Sequence, residues 1–374
     1  MNSVEKSETS PRKDDHLRLC IEEDVTYDTI TTGFEIVRLK INSVIRTENF
    51  DDIDLSTDFL GKTITYPIII SGMTGGSKLG QKYNKIIAEV CQEKNIAMGV
   101  GSQRAAFENP ELAKTFQVRD KAPNIPLIAN LGIAQFLEGY GLKEAELAIE
   151  MINANALAVH INPMQELIQK EGTRKFSAIF DALENLSVSL KSPLIVKGVG
   201  SGFSHNDMLL LHKLKFYALD IAGAGGTNWK KIETARNPNL NYLSDSFLNL
   251  GVPTLISLKE ARNYLNFGYP SIRNFIRLAR KSPVDIKKTI VSGGIWSGLD
   301  AIKALVFGGN YVAFALPALR AVAKGGKEEL ISYLNSYIFE MKTVMSILGF
   351  NNLETLRKKG HNAFWIDGKE YRKL

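Results

Sequence analysis

From residue 66 onward the chain repeats one unit: a short β-branched apolar run, a glycine-rich or polar turn, then a stretch with helical spacing. The apolar runs fall at 67–71, 97–100, 127–130, 156–160, 194–197, 218–222, 289–292 and 311–314. Between them lie amphipathic segments such as 142–152, where Leu142, Ala145, Ala148, Ile149 and Ile152 share a face. Strands alternating with helices predict βαβ units and parallel pairing, and eight such units close naturally as an α/β (β/α)8 TIM barrel. The gap at 223–288 exceeds one helix and predicts an insertion after the sixth strand. Residues 327–348 predict a long closing helix, followed by a basic, aromatic tail that ends at Leu374.

Upstream, residues 34–47 alternate apolar and polar, which predicts strands capping one end of the domain. Residues 1 to about 15, with His16 at the boundary, read as a polar arm carrying Arg12, Lys13, Asp14, Asp15 and His16, predicted as a solvated tip. The expected organisation is an arm and cap at 1–60, a barrel at 61–350 and a tail at 351–374.

Composition narrows the function classes. A chain of 374 residues with 44% hydrophobic residues can bury a large core. The net charge of +6 is spread along the chain rather than blocked into a tail, which favours an anionic small ligand and argues against nucleic acid. Cys20 and Cys91 belong to no Cys/His cluster, so neither disulfide scaffolding nor structural zinc is expected. No apolar run approaches the ~20 residues of a membrane span, and the polar N-terminus lacks a secretory apolar region; the expected setting is the cytoplasm, with no membrane partner.

The chemistry sits at the strand ends. The first strand leads into Gly72-Met73-Thr74-Gly75-Gly76 and the second into Gly101-Ser102-Gln103-Arg104. The third ends in Asn130, the fourth in His160 and the fifth in Lys197. The sixth leads into Gly223-Ala224-Gly225-Gly226-Thr227-Asn228, the seventh into Gly293-Gly294-Ile295 and the eighth into Ala315-Leu316. Polar groups and glycines at nearly every carboxyl end indicate a catalytic face. The densest cluster follows strand four: His160, Asn162, Gln165, Glu166, Glu171 and Arg174. Gly293-Gly294, together with the capping pattern Ser297-Gly298-Leu299-Asp300, predicts a phosphate site at a helix N-terminus. Thr227 adds a hydroxyl donor from the second glycine-rich loop. Lys197 is costly to bury unless it meets an anion or a reactive group. These features describe a phosphate-anchored ligand lying across the strand ends; spacing alone does not distinguish FMN from a sugar phosphate.

The ordered set of motifs resembles the type 2, FMN-dependent isopentenyl-diphosphate isomerases. The resemblance rests on Arg12-Lys13-x-x-His16, Met73-Thr74-Gly75-Gly76, Gly99 to Arg104, Ala129-Asn130-Leu131-Gly132 and the His160–Arg174 stretch. It continues through Lys197-Gly198-Val199-Gly200-x-Gly202 and Ala222-Gly223-x-Gly225-Gly226-Thr227 to Gly293-Gly294. It implies FMN, active when reduced, with NADPH or another reductant, and Mg²⁺ on a small diphosphate substrate. It also implies a homo-oligomer, a tetramer or octamer. By the same resemblance the FMN site takes Met73, Thr74, Gly75, Ser102, Asn130, Lys197, Thr227, Gly293, Gly294, Ala315 and Leu316. The substrate site takes Arg12, Lys13, His16, Arg104, His160, Asn162 and Gln165, with Gln165 and His160 as the catalytic candidates and Glu166 on the metal. The diphosphate would then draw the arm over the site as a lid.

Three positions depart from the pattern. Trp296 stands where the family carries Arg, Lys170 where it carries Pro, and Thr173 where it carries an acidic residue. Beside them, Glu171 and Arg174 read as loop scaffolding. The main rival is an FMN barrel that transfers hydride from 2-hydroxy acids. That chemistry wants a His-Gly-Gly-Arg type motif, and no histidine here is followed by two glycines.

Overall fold

The computed structural model describes residues 9–45, 49–170, 172–266, 287–366 and 369–370. All eight apolar runs form strands of one closed barrel. In chain order these are β4 (Ile68–Ile70), β5 (Ala97–Gly99), β6 (Leu127–Gly132), β7 (Ala156–Ile161), β8 (Leu194–Gly198), β9 (Ala218–Asp220), β10 (Lys288–Val291) and β11 (Tyr311–Phe314). Each pairs in parallel with its neighbour, and β11 returns to β4 through Val312↔Ile68 and Phe314↔Ile70. Parallel strands need apolar side chains on both faces, one toward the barrel axis and one toward the helical shell. Ile69, Ile128, Ile195 and Ile290 accordingly fill the barrel, while Ile68, Ile70, Leu157 and Val196 join the outer core.

A hairpin of β2 (Thr57–Phe59) and β3 (Lys62–Ile64) plugs the amino end of the barrel. Phe59 is fully buried, with its ring edge-on to Tyr311 at 4.7 Å and to Tyr217 at 5.9 Å. The Tyr311 hydroxyl donates to the Asp58 carbonyl at 2.5 Å. Three-residue strands are too short to show an alternation, so the hydrophobic pattern does not predict this plug. Its effect is to leave only the carboxyl end of the barrel open.

The cap differs from the expectation. Only β1 (Val37–Leu39) is a strand within 34–45; Phe34–Ile36 is a 3₁₀ turn, and Ile41, Val44 and Ile45 are exposed. β1 finds its partner in the tail, where β12 (Phe364–Ile366) pairs antiparallel with it. Residues 46 and 47 lie outside the described residues.

The polar arm also differs. From Thr9 it is a helix, α1 (Thr9–Glu22), rather than a solvated tip. Leu17, Leu19 and Cys20 bury one side of it, and Arg320 donates to the carbonyls of Cys20 (2.9 Å) and Glu23 (2.7 Å), satisfying the open carbonyl end of the helix. The other helices that matter for the site are α2 (Lys78–Lys94), α3 (Leu142–Ile152), α4 (Pro163–Ile168), α5 (Ile179–Ser189), α6 (Trp229–Arg236), α7 (Gly298–Val306) and α8 (Leu316–Leu348). α6 begins the insertion after β9, of which 267–286 lies outside the described residues. α8 is broken at Gly325 and Gly326 (φ −148° and 65°), which separates its barrel part from the closing part beginning at 327.

α7 and the closing part of α8 meet at a glycine. A side chain on Gly298 would sit 2.2 Å from the Tyr337 carbonyl oxygen and 2.6 Å from the Met341 nitrogen, both rigid helix backbone. Gly298→Ala should therefore lower the urea midpoint by an amount equivalent to about 1–3 kcal/mol. An unchanged midpoint in chemical denaturation would count against this contact.

Candidate active site

Two adjoining clefts open at the carboxyl ends of the strands. The first, about 540 Å³, is lined by Met73, Lys197, Thr227, Gly293, Gly294, Trp296, Ala315 and Leu316 among others. The second, about 750 Å³, is lined by Arg12, Lys13, His16, Ser102, Arg104, Asn130, His160, Gln165 and Glu166. Gly72, Met73, Lys197, Val199 and Trp229 belong to both walls.

The floor of the first cleft is made by two glycine loops packed backbone to backbone. Gly293 and Gly294 have φ of 97° and 83°, and a side chain at Gly293 would lie 2.0 Å from the Gly223 carbonyl oxygen. A side chain at Gly226 would lie 2.4 Å from the Gly294 nitrogen. Such a surface offers peptide groups and no side chains, which suits a phosphate. The loop after β10 is held from beneath: Thr254 Oγ1 donates to the Gly293 carbonyl (2.6 Å), and the Tyr333 hydroxyl to the Trp296 carbonyl (2.9 Å).

One part of the anticipated phosphate site is already occupied. Ser297 caps α7 as its sequence predicts, accepting from Asp300 N at 3.1 Å. The next free N–H groups, of Gly298 and Leu299, donate to the Glu340 carboxylate at 2.8 and 3.4 Å. The start of α7 is thus neutralised from within, leaving the glycine loops and the Ala315-Leu316 start of α8 for an anion.

Thr74, Gly75 and Asn162 act behind the walls. The Thr74 carbonyl accepts from Gly101 N (2.8 Å) and Asn84 Nδ2 (3.2 Å), tying the loop after β4 to that after β5. The Cβ position of Gly75 is filled by the Phe116 ring. Asn162 caps α4: its Oδ1 accepts from Gln165 N at 3.3 Å and its Nδ2 donates to Gln165 Oε1 at 2.5 Å, which fixes that amide. Glu171 lies outside the described residues, and Lys170 and Arg174 are exposed.

Lys197, on β8, forms an ion pair with Asp220 on β9, whose other oxygen accepts from Ser292 Oγ. On the neighbouring side, Asn130 Nδ2 donates to the Val100 carbonyl, which turns its Oδ1 toward His160 Nδ1 at 2.8 Å. Burial, with the positive charges of Lys13 and Lys197 nearby, pushes His160 down to about 3. His160 is therefore a neutral imidazole at ordinary pH, and it donates Nδ1–H to Asn130.

The arm helix contributes positive charge. Arg12 and His16 are one turn apart on α1, with Lys13 beside them, and Arg104 stands across the cleft with Glu108 at 2.6 Å. Burial and the adjacent Arg12 and Arg104 lower Lys13 to about 8. Glu166 has its Oε2 on Thr173 N at 3.0 Å, and burial raises its carboxyl above the usual range. Among the described residues no cluster of three or more His, Cys, Asp or Glu could hold a metal.

Behind the wall of the second cleft sits Glu233 on α6, buried against two of its lining residues and not singled out by the sequence reading. Its Oε1 accepts from Gln165 Nε2 at 2.6 Å and from His16 Nε2–H at 3.0 Å; its Oε2 accepts from Arg236 at 2.6 Å. Burial alone would raise its carboxyl, but these donors outweigh it and hold Glu233 down to about 2 as an anion. His16 is lowered, with burial outweighing the bond to Glu233. Trp229, one helical turn before Glu233, meets the His16 ring edge-on at 5.2 Å. The sequence signal for this pair is weak: an i,i+4 Trp and Glu on the helix that follows a glycine-rich loop.

Residues 6–118 and 119–362 match the family described as FMN-dependent dehydrogenase. The fold agrees with solved flavoproteins. The flavin-binding domain of baker's yeast flavocytochrome b2 superposes with a TM-score of 0.62 at 18% identity, covering 95% of this chain and 82% of that one. Mandelate oxidase superposes with 0.57 at 13% identity, covering 94% and 96%. Curated relatives named isopentenyl-diphosphate delta-isomerase are far more similar in sequence. The protein of Metallosphaera sedula is 40% identical over 96% of this chain and 93% of its own length, and that of Synechocystis sp. 39% over 93% and 94%. That of Pyrococcus furiosus is 38% identical over 95% and 86%. The chain belongs to the FMN-dependent dehydrogenase family and, within it, to the isopentenyl-diphosphate delta-isomerases.

Because Lys13 is held near 8, it is a cation below that pH and neutral above it, and a bound anion favours the cation. The Kd of inorganic pyrophosphate, measured by calorimetry, should rise about tenfold per unit as pH climbs past 8. In Lys13→Met that Lys13-dependent limb should disappear; an identical limb in the variant would refute the assignment.

Proposed function

We propose that this protein converts isopentenyl diphosphate to dimethylallyl diphosphate, with reduced FMN in the first cleft and the diphosphate in the second. The observation that carries the reading is the cationic wall of Arg12, Lys13 and Arg104 beside a glycine-floored cleft. A 2-hydroxy acid presents one carboxylate, which a single guanidinium satisfies. Three cations suit a diphosphate.

The backbone cradle of the two glycine loops fits a flavin phosphate, and Lys197, Thr227, Ser102 and Asn130 would hold the rest of the cofactor. Trp296 puts an indole where a guanidinium would have met that phosphate, so the peptide groups carry more of the load. Glu166 fits Mg²⁺ shared with the diphosphate: its raised carboxyl is that of a half-buried acid that a cation would stabilise as the anion, and Mg²⁺ commonly takes one or two carboxylates plus substrate phosphates. NADPH or another reductant would supply the electrons. A homo-oligomer, tetramer or octamer, in the cytoplasm completes the reading.

Allylic isomerisation delivers a proton to the terminal alkene carbon and removes one from C2. Reduced FMN, when bound, supplies an electron-rich π face and a nitrogen, N5, able to exchange a proton. Gln165, its amide fixed by Asn162 and Glu233, orients the isoprenyl chain; a variant of this reading makes Gln165 itself a proton relay. Glu233, held anionic, stabilises positive charge developing at the alkene through that amide. His160, neutral, contributes hydrogen bonding rather than charge. The arm helix closes over the diphosphate through Arg12, Lys13 and His16.

The deciding assay is anaerobic reduction of the yellow holoprotein, followed by isopentenyl diphosphate and Mg²⁺. Dimethylallyl diphosphate should appear only under reducing conditions, whereas flavin bleaching by 2-hydroxy acids would favour the hydride-transfer reading. Gln165→Ala and Glu233→Gln should each lower kcat about a hundredfold while retaining FMN; unchanged kcat would remove the network from the mechanism. Arg12→Ala should raise KM about tenfold or more with FMN retention unaltered, since a charge-assisted phosphate bond is worth about 1.5–3 kcal/mol. Equal loss of both would reject the arm as a lid.

A further inference from the structure

Below the floor shared by the two clefts, three consecutive barrel strands each contribute one member of a hydrogen-bonded row. Lys197 is the penultimate residue of β8, Asp220 ends β9 and Ser292 follows β10. Lys197 is paired in register with Asp220, and its ammonium binds Asp220 Oδ2; Ser292 Oγ donates to Asp220 Oδ1 at 2.5 Å. Asp220 is 3% exposed and faces the barrel interior, where Ile69, Ile128, Ile195 and Ile290 surround it. Lys197 alone of the three lines both clefts and the interior beneath them. Asp220 lines neither cleft, so it acts on a ligand through its two partners, and of these Lys197 carries the charge while Ser292, which also lines the first cleft, is neutral.

A lysine at this position could have met the ligand as an uncompensated cation. Instead its charge is offset from behind by a buried carboxylate that Ser292 holds in place. In the second cleft Lys197 shares the wall with His160, which is neutral, and with Arg12, Lys13, His16, Arg104 and Glu166. The difference matters for a flavin, because the reduced ring system ionises to an anion. A bare cation beside it favours that anion, raising both the acidity of the reduced form and its midpoint potential.

The geometry points to Asp220 as a positioning residue that offsets the charge of Lys197, so that the reduced cofactor keeps its protonated, neutral form populated. This rests on FMN occupying the first cleft.

The test is an anaerobic pH titration of the reduced holoprotein, following the absorption bands that distinguish neutral from anionic reduced flavin, together with the midpoint potential. Asp220→Asn should raise the acid ionisation constant of the reduced flavin at least about tenfold and shift the potential positive. In a Lys197→Met background the same substitution should lose most of that effect, because the coupling runs through Lys197. A second readout needs no variant. In the wild-type holoprotein the ionisation constant should lie within about tenfold of that of free reduced FMN, and a larger displacement toward the anion would overturn the inference. So would an Asp220→Asn holoprotein with unchanged spectrum and potential, or an equal shift with and without Lys197. A wild-type protein that binds no FMN would overturn the proposed function as well.

Discussion

An eight-stranded parallel barrel buries both faces of every strand, so polar side chains can stand only where the strands end. In this protein the β2–β3 hairpin closes the amino end with Phe59 and Tyr311, and the constraint becomes one-sided. Most of the charge the barrel carries at its core stands at the carboxyl rim, where it needs a partner or a ligand; Lys288, at the amino end of β10, lies instead over the Tyr311 ring. The clefts, the glycine loops and the ion pairs all follow from that condition.

The rim meets it in two ways. Some charges are completed within the protein: Lys197 by Asp220, Glu233 by His16, Gln165 and Arg236, and the start of α7 by Glu340. Others are left under tension. Lys13 is depressed to about 8 by burial beside Arg12 and Arg104, and Glu166 is raised by burial. On the proposed function, the diphosphate would relieve Lys13 and the cation Glu166. On that reading, the completed groups orient and the incomplete ones bind.

Much of the fold was legible before any coordinates. Strands of four to six apolar residues separated by glycine turns and amphipathic helices leave few alternatives, and the order of residues at the strand ends named most of the cleft. What the pattern could not show depended on partners distant in the chain. The arm reads as polar and solvated until Arg320 and the buried faces of Leu17, Leu19 and Cys20 give it a reason to be helical. Among the described residues of 34–47 the alternation yields a strand only at Val37–Leu39, where the tail supplies an edge. Ser297 signalled a capped helix start correctly, but the carboxylate that fills it comes from Glu340, 42 residues beyond Gly298.

The sequence by itself determined the strand and helix periods, and with them the barrel and the residues near each strand terminus, because side-chain alternation and turn chemistry are local. Only the tertiary structure decided which of those residues share a charge. Glu233 is an ordinary helical glutamate until the fold buries it against α1 and α4, and Asn162 is a site candidate until it turns to cap its own helix and hold Gln165. Desolvation and hydrogen bonding set those roles, and both exist only once distant segments have been brought together.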